Sequence, residues 1–146
     1  TEKTLGVRYA EMEDLLKSSD FVVLMTPLNP DTEKLMGRNE FSLMKKTAFF
    51  INTSRGGTVD ENALIDALKS QSIAGAGLDV YAEEPVASDN PLLKMRNVVL
   101  LPHIGTATNR TNFDMAILAA QNLVMALYGE RPPNLVKELE DCFKSK

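Results

Sequence analysis

The sequence predicts an α/β protein built on a mainly parallel sheet, and two observations carry that prediction. Short continuous apolar runs alternate with stretches of helical periodicity, the pattern of repeated βα units. None of these runs alternates apolar with polar residues, which fits strands covered on both faces. A length of 146 residues suits one compact domain able to bury its own core.

Four strands are expected, at Phe21 to Met25, Ala48 to Ile51, Ala76 to Val80 and Val98 to Leu101. Helices are expected between them. Glu11 to Lys17 sets Met12, Leu15 and Leu16 on one face, and Ser18-Ser19-Asp20 stops it. Asn39 can cap a short helix carrying Phe41 and Met44. Asp60 can cap the next, whose Ala63, Leu64, Ala67 and Leu68 recur at helical spacing. A long helix from about Thr111 to Tyr128 follows the last strand and ends at Gly129. Pro132-Pro133 then breaks the chain, leaving a polar tail over 131–146 with a weak Leu135/Val136/Leu139 stripe. No internal repeat, low-complexity tract or domain boundary is evident before that tail.

Composition bounds the function classes. With 44% hydrophobic and 25% charged residues, neither disorder nor a fibrous class is indicated. Net charge is −4, with acids and bases interleaved, so there is no basic stripe and no nucleic-acid partner is expected. The single cysteine, Cys142, lies in the polar tail and cannot form an internal disulfide, which makes a reducing, cytoplasmic setting the default. Thr1 to Gly6 has no signal-peptide character. The most apolar long stretch, Phe113 to Tyr128, is interrupted by Asp114, Gln121 and Asn122. It reads as a helix buried in protein, so no membrane partner is expected.

A doubly wound dinucleotide-binding sheet opens with strand, G-x-G-x-x-G and helix, so that helix N–H groups meet the pyrophosphate. The only close glycine pair here is Gly75-Ala76-Gly77, with Val80 in the third position, and Gly75 precedes a strand instead of following one. That context is wrong for a phosphate loop. The glycines instead let backbone pass close to a neighbour. Residues 1–130 therefore read as the C-terminal half of a doubly wound, Rossmann-like parallel sheet with flanking helices, the phosphate-gripping half being expected upstream of Thr1.

Three clusters able to carry chemistry follow predicted strands, at the sheet edge where ligands sit in open α/β folds. The first is Asn52-Thr53-Ser54-Arg55-Gly56-Gly57. Its glycines permit a sharp turn and close ligand approach, and the guanidinium can hold a carboxylate through two bonds. A surface arginine beside a flexible loop is an equal reading of the same residues. The second is Gly77-Leu78-Asp79-Val80-Tyr81-Ala82-Glu83-Glu84-Pro85. Asp79 within an apolar strand is costly without a partner, and spacing does not choose between Glu83 and Glu84. The third is Leu101-Pro102-His103-Ile104-Gly105. His103 is the only histidine, and at a strand's ligand-facing end an imidazole can exchange a proton near neutral pH.

In order and spacing, the strings NTSRGG (Asn52 to Gly57), AGLDVYAEEP (Ala76 to Pro85) and PHIG (Pro102 to Gly105) resemble the signatures of the D-isomer-specific 2-hydroxyacid dehydrogenases. The similarity runs from about Met12 to Pro133 and is nearest the glyoxylate/hydroxypyruvate reductase and 2-ketogluconate reductase branch. The resemblance implies that Arg55 binds the substrate's carboxylate and carbonyl, that His103 is the general acid/base, and that Glu84 hydrogen-bonds the histidine. It also implies an NAD or NADP cofactor, with Asp79 near the nicotinamide carboxamide and Thr26-Pro27 passing under the cofactor. Asn52, Thr53 and Ser54 line its nicotinamide side by the same resemblance, and Arg55, His103 and Gly105 complete the cofactor set. No metal site is assigned. Leu101 departs from the threonine many relatives carry before Pro-His. The substrate domain and the residue that selects NAD or NADP are expected upstream of Thr1.

The implied reaction interconverts a small 2-keto acid and a D-2-hydroxy acid. Arg55 would counter charge developing on the carbonyl oxygen, His103 would move the proton, and an ionised Glu84 would orient the ring and balance its charge. The implied assembly is a homodimer. Two alternatives remain at this level. One is a dinucleotide-sensing interaction module of the same fold. The other is a truncated, inactive piece whose uncovered apolar strands favour association.

Overall fold

The computed structural model describes residues 2–143. The chain forms two compact units, Thr1–Gly105 and Thr106–Lys146, where its length had suited one. The first unit runs α1 (Glu2–Leu5), α2 (Met12–Ser18), β1 (Phe21–Leu24), α3 (Arg38–Leu43), β2 (Phe49–Asn52), α4 (Glu61–Lys69), β3 (Gly75–Leu78) and β4 (Val98–Leu100). Short 3₁₀ turns at Gly56–Thr58 and Pro91–Lys94 lie in its loops. The strands form one sheet in the order β1-β2-β3-β4, every pair parallel, with Phe21 opposite Phe49, Phe49 opposite Gly75 and Ala76 opposite Val98.

All four predicted strands are present, and each is shifted or trimmed at its ends. Asp79 consequently lies one residue beyond β3, not within it. Gly75 meets the expectation of close backbone approach, since an added Cβ would sit 2.5 Å from the Asn97 carbonyl oxygen. Gly77 does not, its nearest neighbour being the Ile51 side chain at 3.8 Å.

The expectation of strands covered on both faces is corrected. Val22, Leu24, Phe50, Ala76 and Leu78 enter one core with Leu16 of α2, Phe41 of α3 and Leu64 and Leu68 of α4. Phe41 meets Phe50 edge-on at 5.2 Å. On the other face Phe21, Val23, Phe49 and Val99 are exposed, with Phe21 and Phe49 stacked at 5.7 Å. The reason is topological. A strand order that always steps in one direction, joined by crossovers of one hand, sends every connection over the same face. The exposed residues are themselves apolar, which is why the sequence shows no alternation.

Helix ends follow local chemistry. Asp60 accepts a hydrogen bond from the Ala63 N–H, as its cap position predicts. Gly37, not Asn39, precedes α3, and its N–H donates to the Glu40 carboxylate. In α2 only Leu16 is buried; Met12 and Leu15 are exposed. Asp60→Ala is expected to lower stability by about 1 kcal/mol, the usual worth of an N-cap, and denaturant unfolding of the variant measures it.

The second unit contains α5 (Asn109–Leu127), capped by the Thr108 side chain on the Thr111 N–H, with Gly129 at φ +75° just beyond its end. A 3₁₀ segment, Lys137–Phe143, follows. The expectation that this helix is buried is corrected: no residue of α5 is buried. Among the described residues no helix is long and apolar enough to cross a membrane. The Cys142 side chain lies outside the described residues.

Candidate active site

In an all-parallel sheet the C-terminal strand ends share one edge, and the loops leaving β1, β2, β3 and β4 bring the predicted residues there. Thr26 and Pro27 follow β1. The Thr26 hydroxyl oxygen is buried and has no hydrogen-bond partner, while Pro27 is exposed. Thr53 is exposed, and its hydroxyl donates to the Met25 sulfur at 3.1 Å.

The turn after β2 is built by Asn52, which is 1% exposed. Its amide nitrogen donates to the Arg55 carbonyl at 3.0 Å, and its amide oxygen accepts from both the N–H and the hydroxyl of Ser54. The buried Thr58 hydroxyl also donates to the Arg55 carbonyl, at 2.6 Å. Asn52 therefore shapes the turn that presents Arg55. The Arg55 side chain itself is exposed, with Nη1 donating to the Ser54 carbonyl at 2.7 Å. Among the described residues no hydrogen bond links it to Glu84 or His103.

Glu84 and His103 do meet. His103 Nδ1 lies 2.7 Å from Glu84 Oε2, and the other carboxylate oxygen accepts the Tyr81 N–H at 3.0 Å. Glu83 has no part in this contact. The hydrogen bond from the imidazole, reinforced by that from the Tyr81 backbone, holds the Glu84 carboxyl below its usual range. Burial pushes the Tyr81 phenol up, keeping it neutral, and its hydroxyl donates to the Leu101 carbonyl at 2.8 Å.

A lowered Glu84 has a defined consequence for stability. The unfolded chain binds the proton more tightly, so the contribution of this carboxylate is full above the ordinary carboxylate range and fades as pH falls below it. The side chain is partly exposed, which keeps the effect small. Glu84→Gln is expected to flatten the acid limb of the stability curve below about pH 4. Acid limbs of equal slope in urea titrations of both proteins would contradict it.

Asp79 is 3% exposed, and its two carboxylate oxygens accept the N–H groups of Ile104 and Gly105, each at 2.8 Å. Those are the partners its burial required. Gly105 is otherwise exposed. Sequence reasoning passed over Glu61, in the first turn of α4. Its carboxylate accepts the Ala82 N–H at 3.0 Å and the Asn90 amide at 2.8 Å, pinning the loop that carries Glu84. Nothing local distinguishes it from an ordinary acid at a helix start. An apolar cavity lined by Val86, Leu93, Leu100 and Leu101 opens beside the Glu84–His103 pair.

The sequence profile of the D-isomer specific 2-hydroxyacid dehydrogenase, NAD binding domain, matches residues 1–105, a span that contains every residue of this edge. The chain belongs to the D-isomer specific 2-hydroxyacid dehydrogenase family. Within the family it is 50% identical over 137 residues to the glyoxylate reductase of Korarchaeum cryptofilum, covering 94% of this chain and 41% of that protein. It is also 50% identical over 135 residues to glyoxylate/hydroxypyruvate reductase B of Cronobacter sakazakii, covering 92% and 42%. Among solved structures, the NADPH-dependent glyoxylate/hydroxypyruvate reductase of Sinorhizobium meliloti, in complex with NADP and malonate, superposes with a TM-score of 0.87. It is 33% identical, with 94% of this chain and 44% of that one covered. This dehydrogenase-family chain thus spans about two fifths of the length of the relatives it matches.

Proposed function

We propose that the chain is the catalytic half of an NAD- or NADP-dependent oxidoreductase that interconverts a small 2-keto acid and a D-2-hydroxy acid, with glyoxylate and hydroxypyruvate the first substrates to test. The observation that carries this reading is the Glu84–His103 hydrogen bond of 2.7 Å at the sheet edge where Arg55 also emerges. Residues 1–130 are assigned to the C-terminal part of the dinucleotide-binding domain and 131–146 to a tail. A cytoplasmic homodimer with no nucleic-acid or membrane partner completes the proposal, supported by the single cysteine and the balanced surface charge.

The residues present fit a nicotinamide cofactor. The partnerless buried hydroxyl of Thr26 stands at the end of β1, and the exposed Thr53 and half-buried Ser54 stand at the end of β2. These residues, with Pro27, Arg55, Asp79, His103 and Gly105, would hold it. When bound, the cofactor supplies the hydride. The chain supplies position, charge and a proton. Arg55 anchors the substrate carboxylate through its forked donors and offsets negative charge at the carbonyl oxygen. With Nδ1 engaged by Glu84, His103 has Nε2 free to give a proton to that oxygen, or to take it back in the oxidative direction.

Turnover tests the proposal, followed as NADH or NADPH oxidation with glyoxylate and with hydroxypyruvate. The full-length reductase is expected to turn over, and Arg55→Gln to lower kcat/KM by about 10²-fold, comparable to loss of a charge-stabilising donor. Unchanged kcat/KM in the variant would remove Arg55 from the site.

A further inference from the structure

We propose that Asp79 is the positioning residue for His103, acting through the backbone of the turn that carries the imidazole; this rests on reading His103 as the proton-transfer group. His103 has φ +54°, a left-handed conformation uncommon outside glycine. The contacts that hold it lie on both sides. Upstream, Leu101 is held through its N–H to the Leu78 carbonyl at 2.9 Å and through its own carbonyl, which accepts the Tyr81 hydroxyl at 2.8 Å. Downstream, the N–H groups of Ile104 and Gly105 are each held at 2.8 Å by a different oxygen of Asp79. Pro102 and His103 are left to make the turn between two fixed points.

Asp79 is itself immobile. It is 3% exposed, and its N–H donates to the Asn52 carbonyl at 3.0 Å, extending the β2–β3 ladder by one residue. The clamp therefore joins the end of β3 to the residues just after the histidine, across 25 and 26 positions of sequence. Its geometry requires a carboxylate. Two adjacent N–H donors need two acceptors, and an amide offers one oxygen and sets an NH₂ against the second donor. Glycine at 105 belongs to the same device, because an added Cβ would stand 3.0 Å from Asp79 Oδ2. The turn so held is the one that places Nδ1 against Glu84.

His103 is the chain's only histidine, so its imidazole resonances need no further assignment. The test is NMR of the ring in the full 146-residue chain, wild type against Asp79→Asn and Gly105→Ala, with circular dichroism confirming that each is folded. The wild type is expected to show a downfield Nδ1 proton bonded to Glu84. Asp79→Asn is expected to abolish that signal, and Gly105→Ala to shift it in the same direction. In the full-length reductase kcat is then expected to fall by about 10²-fold, the size of a lost acid–base contribution. A residue serving stability alone would lower Tm and leave the ring signal of the folded variant in place, which would overturn the proposal. So would a fall in turnover with the ring signal unmoved, since Asp79 would then be acting other than through the imidazole. Should Asp79→Asn fail to fold, Gly105→Ala at its exposed position still decides the matter. Loss of the catalytic reading would show instead as unaltered turnover in His103→Gln, independent of the ring signal.

Discussion

If the proposed function holds, replacing His103 with glutamine in the complete enzyme is expected to cut turnover by about 10²- to 10⁴-fold, the range spanned by positioned acid–base groups. Glutamine retains a polar end that can bond Glu84, but it neither gives nor takes a proton near neutral pH. The side chain is about half exposed and lies outside the core, so the variant should stay folded, with stability changed by about 0.5 kcal/mol at most. That separation makes the experiment informative: kcat falls while the unfolding midpoint barely moves. Near-normal turnover would end the assignment of His103, however well the family match holds.

The second large effect is expected at a residue with no side chain. Gly56 is buried where the Arg55 turn abuts the loop carrying Glu84, and a Cβ there would lie 1.7 Å from the Tyr81 carbonyl oxygen and 2.6 Å from the Ala82 nitrogen. Both atoms are backbone, so no rotamer change relieves the clash. The two loops must separate. Gly56→Ala is expected to cost about 3 kcal/mol, the upper part of the overpacking range, read as a lowered midpoint in urea. Turnover should fall as well, because the same displacement moves Arg55 away from the Glu84–His103 pair and misplacement of reacting groups is costly. A loss under about 1 kcal/mol would show that the loops yield easily and that this contact does not set the spacing of the site.

Both effects depend on how loops from different strands are braced. Asn52 and Thr58 bind the Arg55 carbonyl, Glu61 and Tyr81 hold the Glu84 loop, and Asp79 and Tyr81 hold the His103 turn. The apolar strands and helices set the frame, and a small number of buried polar side chains aim the exposed ones. Buried polar groups of this kind are costly unless satisfied, so their bonding pattern is well determined.

The sequence alone determined the α/β class, the four strands, the Asp60 cap and the strand-end location of Arg55, Glu84 and His103. These follow from apolar runs, helical spacing and capping residues, all of which act over a few positions. The tertiary structure decided what those signals do not encode. It set Glu84, which the family resemblance but not the spacing had singled out over Glu83, against a histidine 19 residues away, and gave the buried Asp79 its two backbone partners. It made Asn52 the brace of the arginine turn. It also put all the helices of the first unit's core on one face of the sheet, where unalternating strands had implied two. Apart from the Asn52 turn, whose bonds span only two and three residues, the physical reason is the same in each case. Which loops become neighbours is set by strand order and crossover hand, and those are properties of the assembled sheet rather than of any one segment.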